Sequence, residues 1–438
     1  MEWWIVLAII LVSLIGLMLL RIPVAFSFLF INFIAAYLIW GGEKGPELLI
    51  TSIKSSLATF SLAPIPLFIL MGEVMFHTGV APRMIETVDK WLGKLPGRLS
   101  LLAVGGGTLL STLTGSTMAS TAMLGSTLVP NMKEKGYGNQ MALGPILGAG
   151  GLAVMIPPSA LGVLLASMGK ISIAGFMIAI LLPGLILAFL YAAYIILRAK
   201  FQPQLAPPYE IEEIPLHIKI KATLIYIFPL SIIVFLVIGL MFLGIATPNE
   251  AAAMGALGSF VLAIAYGQLT KESIVKILNG TMKISAMILL IVAGSNAFSQ
   301  ILSFTGVSRN LVQIIGGIEA STYLIILAML LIVIIMGSFM ESLSILMIVL
   351  PIFIPVAEML GVNLLWFATL LLITIEIGTI SPPFGTGLFV MKAVAPKETK
   401  MTDVYAASLP FIGLNLILIV ILLAFPFLAT WLPSLMAT

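Results

Sequence analysis

The chain has no cysteine, two histidines and little charge: only 9% of its 438 residues are Asp, Glu, Lys or Arg. Without Cys there is no thiol catalysis, no thiolate zinc site and no disulfide, and the redox compartment stays open. His77 ends an apolar run and His217 sits in a polar linker, so neither is expected to have the partners of a catalytic or metal site. No Gly-x-x-x-x-Gly-Lys-Ser/Thr stretch occurs, which speaks against an ATP-driven pump with its nucleotide loop in this chain. The absence of Gly-x-Ser-x-Gly and His-Glu-x-x-His speaks against an intramembrane hydrolase, so no enzyme is expected. A net charge of +3 is too small to point to nucleic acid.

What fills the space is apolar: 61% of residues are hydrophobic and the mean hydropathy is +1.20. A soluble domain carries about 25% charged residues, so this chain cannot cover a water-facing surface. Runs near 20 residues recur from end to end, and about 20 helical residues cross the ~30 Å hydrocarbon layer. The expected fold is therefore an all-α polytopic membrane protein in a lipid bilayer. Spans are predicted near 3–20, 24–40, 59–77, 139–169, 172–197, 222–245, 250–266, 284–304, 364–394 and 403–431. Residues 3–20 are read as an uncleaved first span, because Glu2 and no basic residue precedes them.

The order of features repeats. Pro23 answers Pro248, Thr78-Gly79-Val80 answers Thr305-Gly306-Val307, and Gly115-Ser116 answers Gly337-Ser338. Pro157-Pro158 then answers Pro382-Pro383, and Pro183 answers Pro410. Five ordered matches at nearly constant offset predict a duplicated unit. Segment 99–132 is short for two spans plus a turn and is read as a re-entrant hairpin. Each unit then makes five crossings, an odd number, and the second copy must be inverted. The predicted organisation is a first repeat over 1–198, with scaffold helices 1–98 and a hairpin and broken-helix transport part 99–170. A cytoplasmic linker follows over 199–220, carrying Pro203, Pro207, Pro208, Pro215, Glu210, Glu212 and Glu213. The second repeat is 221–438, with scaffold 221–319 and transport part 320–395. Placing both termini outside puts 17 of the 21 Lys and Arg, Arg21 among them, on the cytoplasmic side; only Lys44, Lys54, Lys170 and Arg309 face out.

Inverted repeats with broken helices are the architecture of secondary transporters, because irregular backbone survives in a membrane only where protein or a water-filled cavity receives it. The double prolines remove N–H donors and free carbonyls beside them. Those hard oxygens suit a small dehydrated cation, while opened helix N-termini suit an anion. Gly, Ser and Thr crowd both breaks and both hairpin tips; close helix packing and ion binding are both open readings of them. Among acidic residues inside apolar runs, Glu250 reads as a capping box with Thr247. Glu73 and Glu376 are open between structural and functional roles, and Glu341 is the best candidate for facing a substrate cavity. Thr117, Ser159, Ser342, Gly385 and Thr386, at tips and breaks, are assigned to the same cavity. Residues around Met84–Leu92 and Leu311–Ile318 form amphipathic helices suited to the membrane interface.

Ala246-Thr247-Pro248-Asn249-Glu250, Met155-Ile156-Pro157-Pro158-Ser159, Gly337-Ser338-Phe339-Met340-Glu341 and Ile380-Ser381-Pro382-Pro383 resemble the large membrane subunit of tripartite ATP-independent periplasmic (TRAP) transporters. The likeness runs over essentially the whole chain. It implies sodium-driven elevator import of an organic acid such as a dicarboxylate or sialic acid, in a bacterial or archaeal inner membrane. It also implies a small four-helix membrane subunit and a periplasmic substrate-binding protein as partners, and no cofactor beyond sodium as coupling ion. The implied first sodium site involves Gly115, Ser116, Ser120, Ala153, Ile156 and Pro158. The second involves Gly337, Gly378, Ser381 and Phe384. Members often have Asp where this chain has Ser120, Gly where it has Ala153, and Asp where it has Glu341. A stand-alone sodium–carboxylate or sodium–proton carrier of the same architecture is the alternative.

Overall fold

The computed structural model describes residues 2–20, 22–40, 42–114, 116–208 and 214–436. Arg21, Gly115, Glu210, Glu212 and Glu213, used above, lie outside the described residues. The described residues are helical, with no strand among them. Among the described residues seven helices are long and apolar enough to cross a membrane, and the pair Asn139–Met155 and Ala160–Met168, bent by 46°, makes an eighth if it is one span. The protein is a multi-pass membrane protein.

Element order recurs along the chain. Val24–Ile39 is answered by Pro248–Ala265, Val80–Leu92 by Val307–Gly316, and the hairpin Arg98–Thr114/Thr117–Glu134 by Thr322–Gly337/Ser342–Met359. The broken pair Asn139–Met155/Ala160–Met168 is answered by Leu364–Thr379/Thr386–Val394. Two features depart from the sequence reading. Helix Lys44–Leu57 lies where the sequence predicts no element, and the span expected at 284–304 begins thirteen residues earlier, in the single helix Lys271–Phe304. These are one feature seen twice: Lys44 and Lys271 open the two copies, and His77 and Phe304 close them, each pair 227 residues apart. In the first copy Pro64 and Pro66 lie in the first turn of the helix that restarts after the turn Phe60–Leu62, where proline's missing N–H has no intrahelical partner to lose. The second copy has no such proline and stays continuous.

Local sequence sets the ends. Thr247 Oγ1 accepts from the Glu250 amide, and the Glu250 carboxylate accepts from the Thr247 amide at 2.8 Å: the expected capping box. Both amphipathic helices follow a glycine in the left-handed region, Gly79 at φ 65° and Gly306 at φ 75°. The first is tied to the hairpin by Arg98, whose guanidinium donates to both Asp89 carboxylate oxygens at 2.8 and 2.6 Å.

The core centres on Asn139–Met155, in which every residue from Met141 to Met155 is buried. Its glycines are the reason it packs so closely. A Cβ on Gly148 would lie 2.3 Å from the Phe411 ring, and one on Gly150 would lie 2.2 Å from Thr121 Oγ1. Small residues let membrane helices approach to backbone distance, where dispersion rather than water release drives contact. The same device joins the second hairpin to the second broken helix.

Candidate functional site

Both double-proline points interrupt their helices. In the first, Met155 ends one helix and Ser159 caps the next, its Oγ accepting from Gly162 N at 3.0 Å. In the second, Thr379 ends one helix and the next starts at Thr386 after Gly385, which has no side chain to cap it. Pro157-Pro158 and Pro382-Pro383 are cis in both breaks. The second arm of each hairpin also starts at the tip. Ser116 Oγ accepts from Ala119 N at 3.4 Å at the start of one arm, while Glu341 precedes Ser342–Met359 without a side-chain cap.

These four helix starts meet one cavity of about 310 Å³. Ser116, Thr117, Met118 and Ala119 line it from the first hairpin, and Ala160 and Leu161 from the first break. Glu341, Ser342 and Leu343 come from the second hairpin, with Thr379 and Thr386 from the second break. The first turn of a helix carries unpaired N–H groups and about half a positive charge. Four such ends around one cavity make a place where an anionic group is stabilised without a cationic side chain.

The acidic residues give the cavity its second character. Glu376 is 3% exposed, and its Oε2 accepts from Thr117 Oγ1 at 2.8 Å, which joins the first hairpin to the second broken helix. Its Oε1 has no partner. Glu73 also lines the cavity, and His77 Nε2 lies 3.2 Å from Glu73 Oε2 one turn away. His77 thus has one carboxylate neighbour, four residues away on the same helix face. Gly280 makes room for this pair, since a Cβ there would lie 2.1 Å from Glu73 Oε2. No Lys or Arg lines the cavity among the described residues. Among the described residues no three of His, Cys, Asp and Glu come close enough together to hold a metal ion.

Of the residues assigned to a substrate cavity, Thr117, Glu341, Ser342 and Thr386 line it, and Ser159 and Gly385 are buried behind it. Of those assigned to sodium, Ser116 lines it too, while Ser120, Ala153, Ile156 and Pro158 are buried around the first break. Gly115 is outside the described residues. At the second break Gly337 and Gly378 touch backbone to backbone: a Cβ on Gly337 would lie 2.4 Å from Gly378 Cα. Ser381 is buried and its Oγ donates to Ile377 O at 2.7 Å. The Phe384 amide donates to Ser338 O at 3.1 Å, stitching the hairpin tip to the break. The Phe384 ring is exposed, between Phe339 and Phe389.

The chain is 31% identical over 401 residues to the C4-dicarboxylate TRAP transporter large permease protein DctM of Rhodobacter capsulatus, covering 86% of this chain and 88% of that one. It is 28% identical to the ectoine TRAP transporter large permease protein TeaC of Halomonas elongata, covering 97% and 98%. The crystal structure of the YdaH transporter of Alcanivorax borkumensis shares the fold, with a TM-score of 0.64 at 14% identity over 91% of each chain. Residues 11–428 match the family described as "Tripartite ATP-independent periplasmic transporter, DctM component", and the chain belongs to that family.

Proposed function

We propose that this chain imports a small organic acid by sodium-coupled, elevator-type transport. A periplasmic binding protein delivers the solute, and a small four-helix membrane subunit completes the scaffold. The observation that carries the reading is the convergence of four helix N-termini on one cavity, beside the two helix breaks. The N-termini fit a carboxylate, and the carbonyl ends fit a dehydrated alkali ion. The relatives named for C4-dicarboxylates and for ectoine support a carboxylate-bearing solute.

In this reading sodium site 1 is formed by Gly115, Ser116, Ser120 and the carbonyls of Ala153, Ile156 and Pro158. Site 2 is formed by Gly337, Gly378, Ser381 and Phe384. The Gly337–Gly378 contact supports the second site, because only a pair without Cβ atoms lets a hairpin end meet a broken helix at backbone distance. Sodium holds each hairpin against its break, the cavity wall is thereby completed, and coupling is the difference in solute affinity between the two ionic states. Hairpins and broken helices (99–170 and 320–395) move together against the scaffold. The two repeats are inverted, and both termini face outward across the inner membrane.

The test is uptake of radiolabelled organic acid into proteoliposomes holding the chain, its small subunit and the loaded binding protein. An inward sodium gradient should drive accumulation, and Ser116→Ala and Ser381→Ala should each raise the half-saturating sodium concentration. Uptake indifferent to sodium in the wild type, or unchanged in both variants, refutes the assignment. Full uptake without binding protein or small subunit would support the stand-alone carrier instead.

A further inference from the structure

Prolines inside membrane helices leave carbonyls that another group must answer. A proline has no N–H, so the carbonyl four residues before it loses its helical donor. Within a bilayer that carbonyl has no water to turn to, and a donor from elsewhere in the protein takes it. Pro145 frees Met141 O in Asn139–Met155, and Ser100 Oγ donates to it at 2.6 Å. Pro351 frees Met347 O in Ser342–Met359, and Ser295 Oγ donates to it at 2.9 Å. All four bonded residues are buried.

The two bonds differ in what they join. Ser100 and Met141 both belong to the transport part 99–170, so their bond travels with it. Ser295 lies on Lys271–Phe304 in the scaffold, whereas Met347 lies on the second hairpin. On the elevator reading, on which this inference rests, these two helices move past each other. The bond must then open in every cycle, and the amide that would otherwise donate to the released carbonyl is missing. Another contact across the same boundary lacks this property. Ser167 Oγ donates to Ser61 Oγ at 3.2 Å, and both residues are half-buried, so water can replace the lost partner. The first repeat has no copy of the Ser295 bond either: 227 residues earlier stands Phe68, which has no hydroxyl.

We propose that Ser295 is a positioning residue for transport: its hydroxyl, bonded to the carbonyl that Pro351 leaves bare, holds the transport part in its present position and sets how long it stays there. Departure breaks the bond and leaves Met347 O unpaired, and a buried acceptor without a donor is costly. Because the bond opens before the two bodies slide, its loss changes the rate of departure and not the rate of return.

The test is single-molecule energy transfer on the full chain with its small membrane subunit, in lipid nanodiscs and sodium buffer. The chain has no cysteine, so dyes go on Glu134→Cys in the transport part and Lys271→Cys in the scaffold, both exposed positions. Two transfer levels are expected. Ser295→Ala should shorten the dwell in one of them about 5–30-fold and leave the other as it was, while Ser295→Thr keeps the wild-type dwell. Pro351→Ala gives Met347 O its helical donor, so it should shorten the same dwell, and adding Ser295→Ala to it should change little further. Ser100→Ala removes the matching bond inside one body; it should lower the unfolding temperature and alter neither dwell.

No change of dwell in Ser295→Ala, both dwells changed alike, or full additivity with Pro351→Ala would each overturn the proposal and leave the elevator reading standing. A single transfer level in the wild type and in every variant would refute the elevator reading and the role of Ser295 with it. Should Ser295→Ala fail to fold, the dwell of Pro351→Ala against the wild type decides.

Discussion

The contact between Gly337 and Gly378 is the most exacting packing feature at the site, and replacing one hydrogen there has a calculable consequence. In Gly337→Ala the new Cβ would lie 2.4 Å from Gly378 Cα, 3.2 Å from its C and 3.5 Å from its N. Ordinary contact begins at 3.4 Å, so the second hairpin and second broken helix must separate by about 1 Å along that direction. The obstacle is backbone inside a helix, not the end of a flexible side chain, and it cannot rotate aside. Overpacking of this kind costs about 1–3 kcal/mol. Two other glycines serve as controls. Gly413 has nothing within 4 Å of its added Cβ, and Gly151 meets only Glu376, at 3.6 Å. Alanine there should be neutral, or stabilising by about 1 kcal/mol through helix propensity.

Thermal unfolding of the purified chain should therefore rank Gly337→Ala below the wild type, and the two controls level with it or above. The sodium dependence is the more telling readout. If the ion is held where these helices meet, the strain falls on the ion-bound state, and 1–3 kcal/mol becomes about a 5–150-fold rise in the sodium needed for half-maximal stabilisation. A Gly337→Ala protein with wild-type stability and wild-type sodium dependence would refute both the packing argument and the assignment of the second site.

Two further outcomes follow from the same geometry. Thr117→Val removes the hydroxyl that donates to buried Glu376 Oε2; it should lower stability by about 1–3 kcal/mol, while Thr117→Ser should keep most of it, as thermal unfolding will show. The chain has no cysteine, so single substitutions report topology directly. Inversion of the repeats predicts that Lys44→Cys reacts with an impermeant thiol reagent from outside and Lys271→Cys only from the cytoplasm. Labelling of both from one side would refute it.

Much of this arrangement was legible in the sequence, and the reasons differ from residue to residue. The two breaks declare themselves because Pro-Pro cannot continue a helix in any context, and the amphipathic helices show because one face alone is apolar. Helix Lys44–Leu57 escaped because it is short and carries Lys44, Glu47 and Lys54, which drop it below a membrane-length apolar run. The 227-residue offset, applied to Lys271–Phe304, would have found it. Glu376 was undecided for a different reason. Its partner Thr117 is 259 residues away in sequence, and nothing local distinguishes a carboxylate that faces a cavity from one that braces a neighbour. The Glu73–His77 pair, four residues apart on one helix, carried a local signal in its spacing. The convergence of the four helix starts is a property of tertiary packing, which element prediction alone does not contain.

The account stands or falls on whether the cavity between the hairpins opens in turn to each side of the membrane. Ser342→Cys, the only thiol in the chain, places the reporter on the cavity wall at the uncapped helix start. In proteoliposomes of fixed orientation, its reaction with an impermeant reagent should occur from both sides, and added sodium with solute should slow one rate as it quickens the other. Reaction from a single side under every ionic condition would contradict the account.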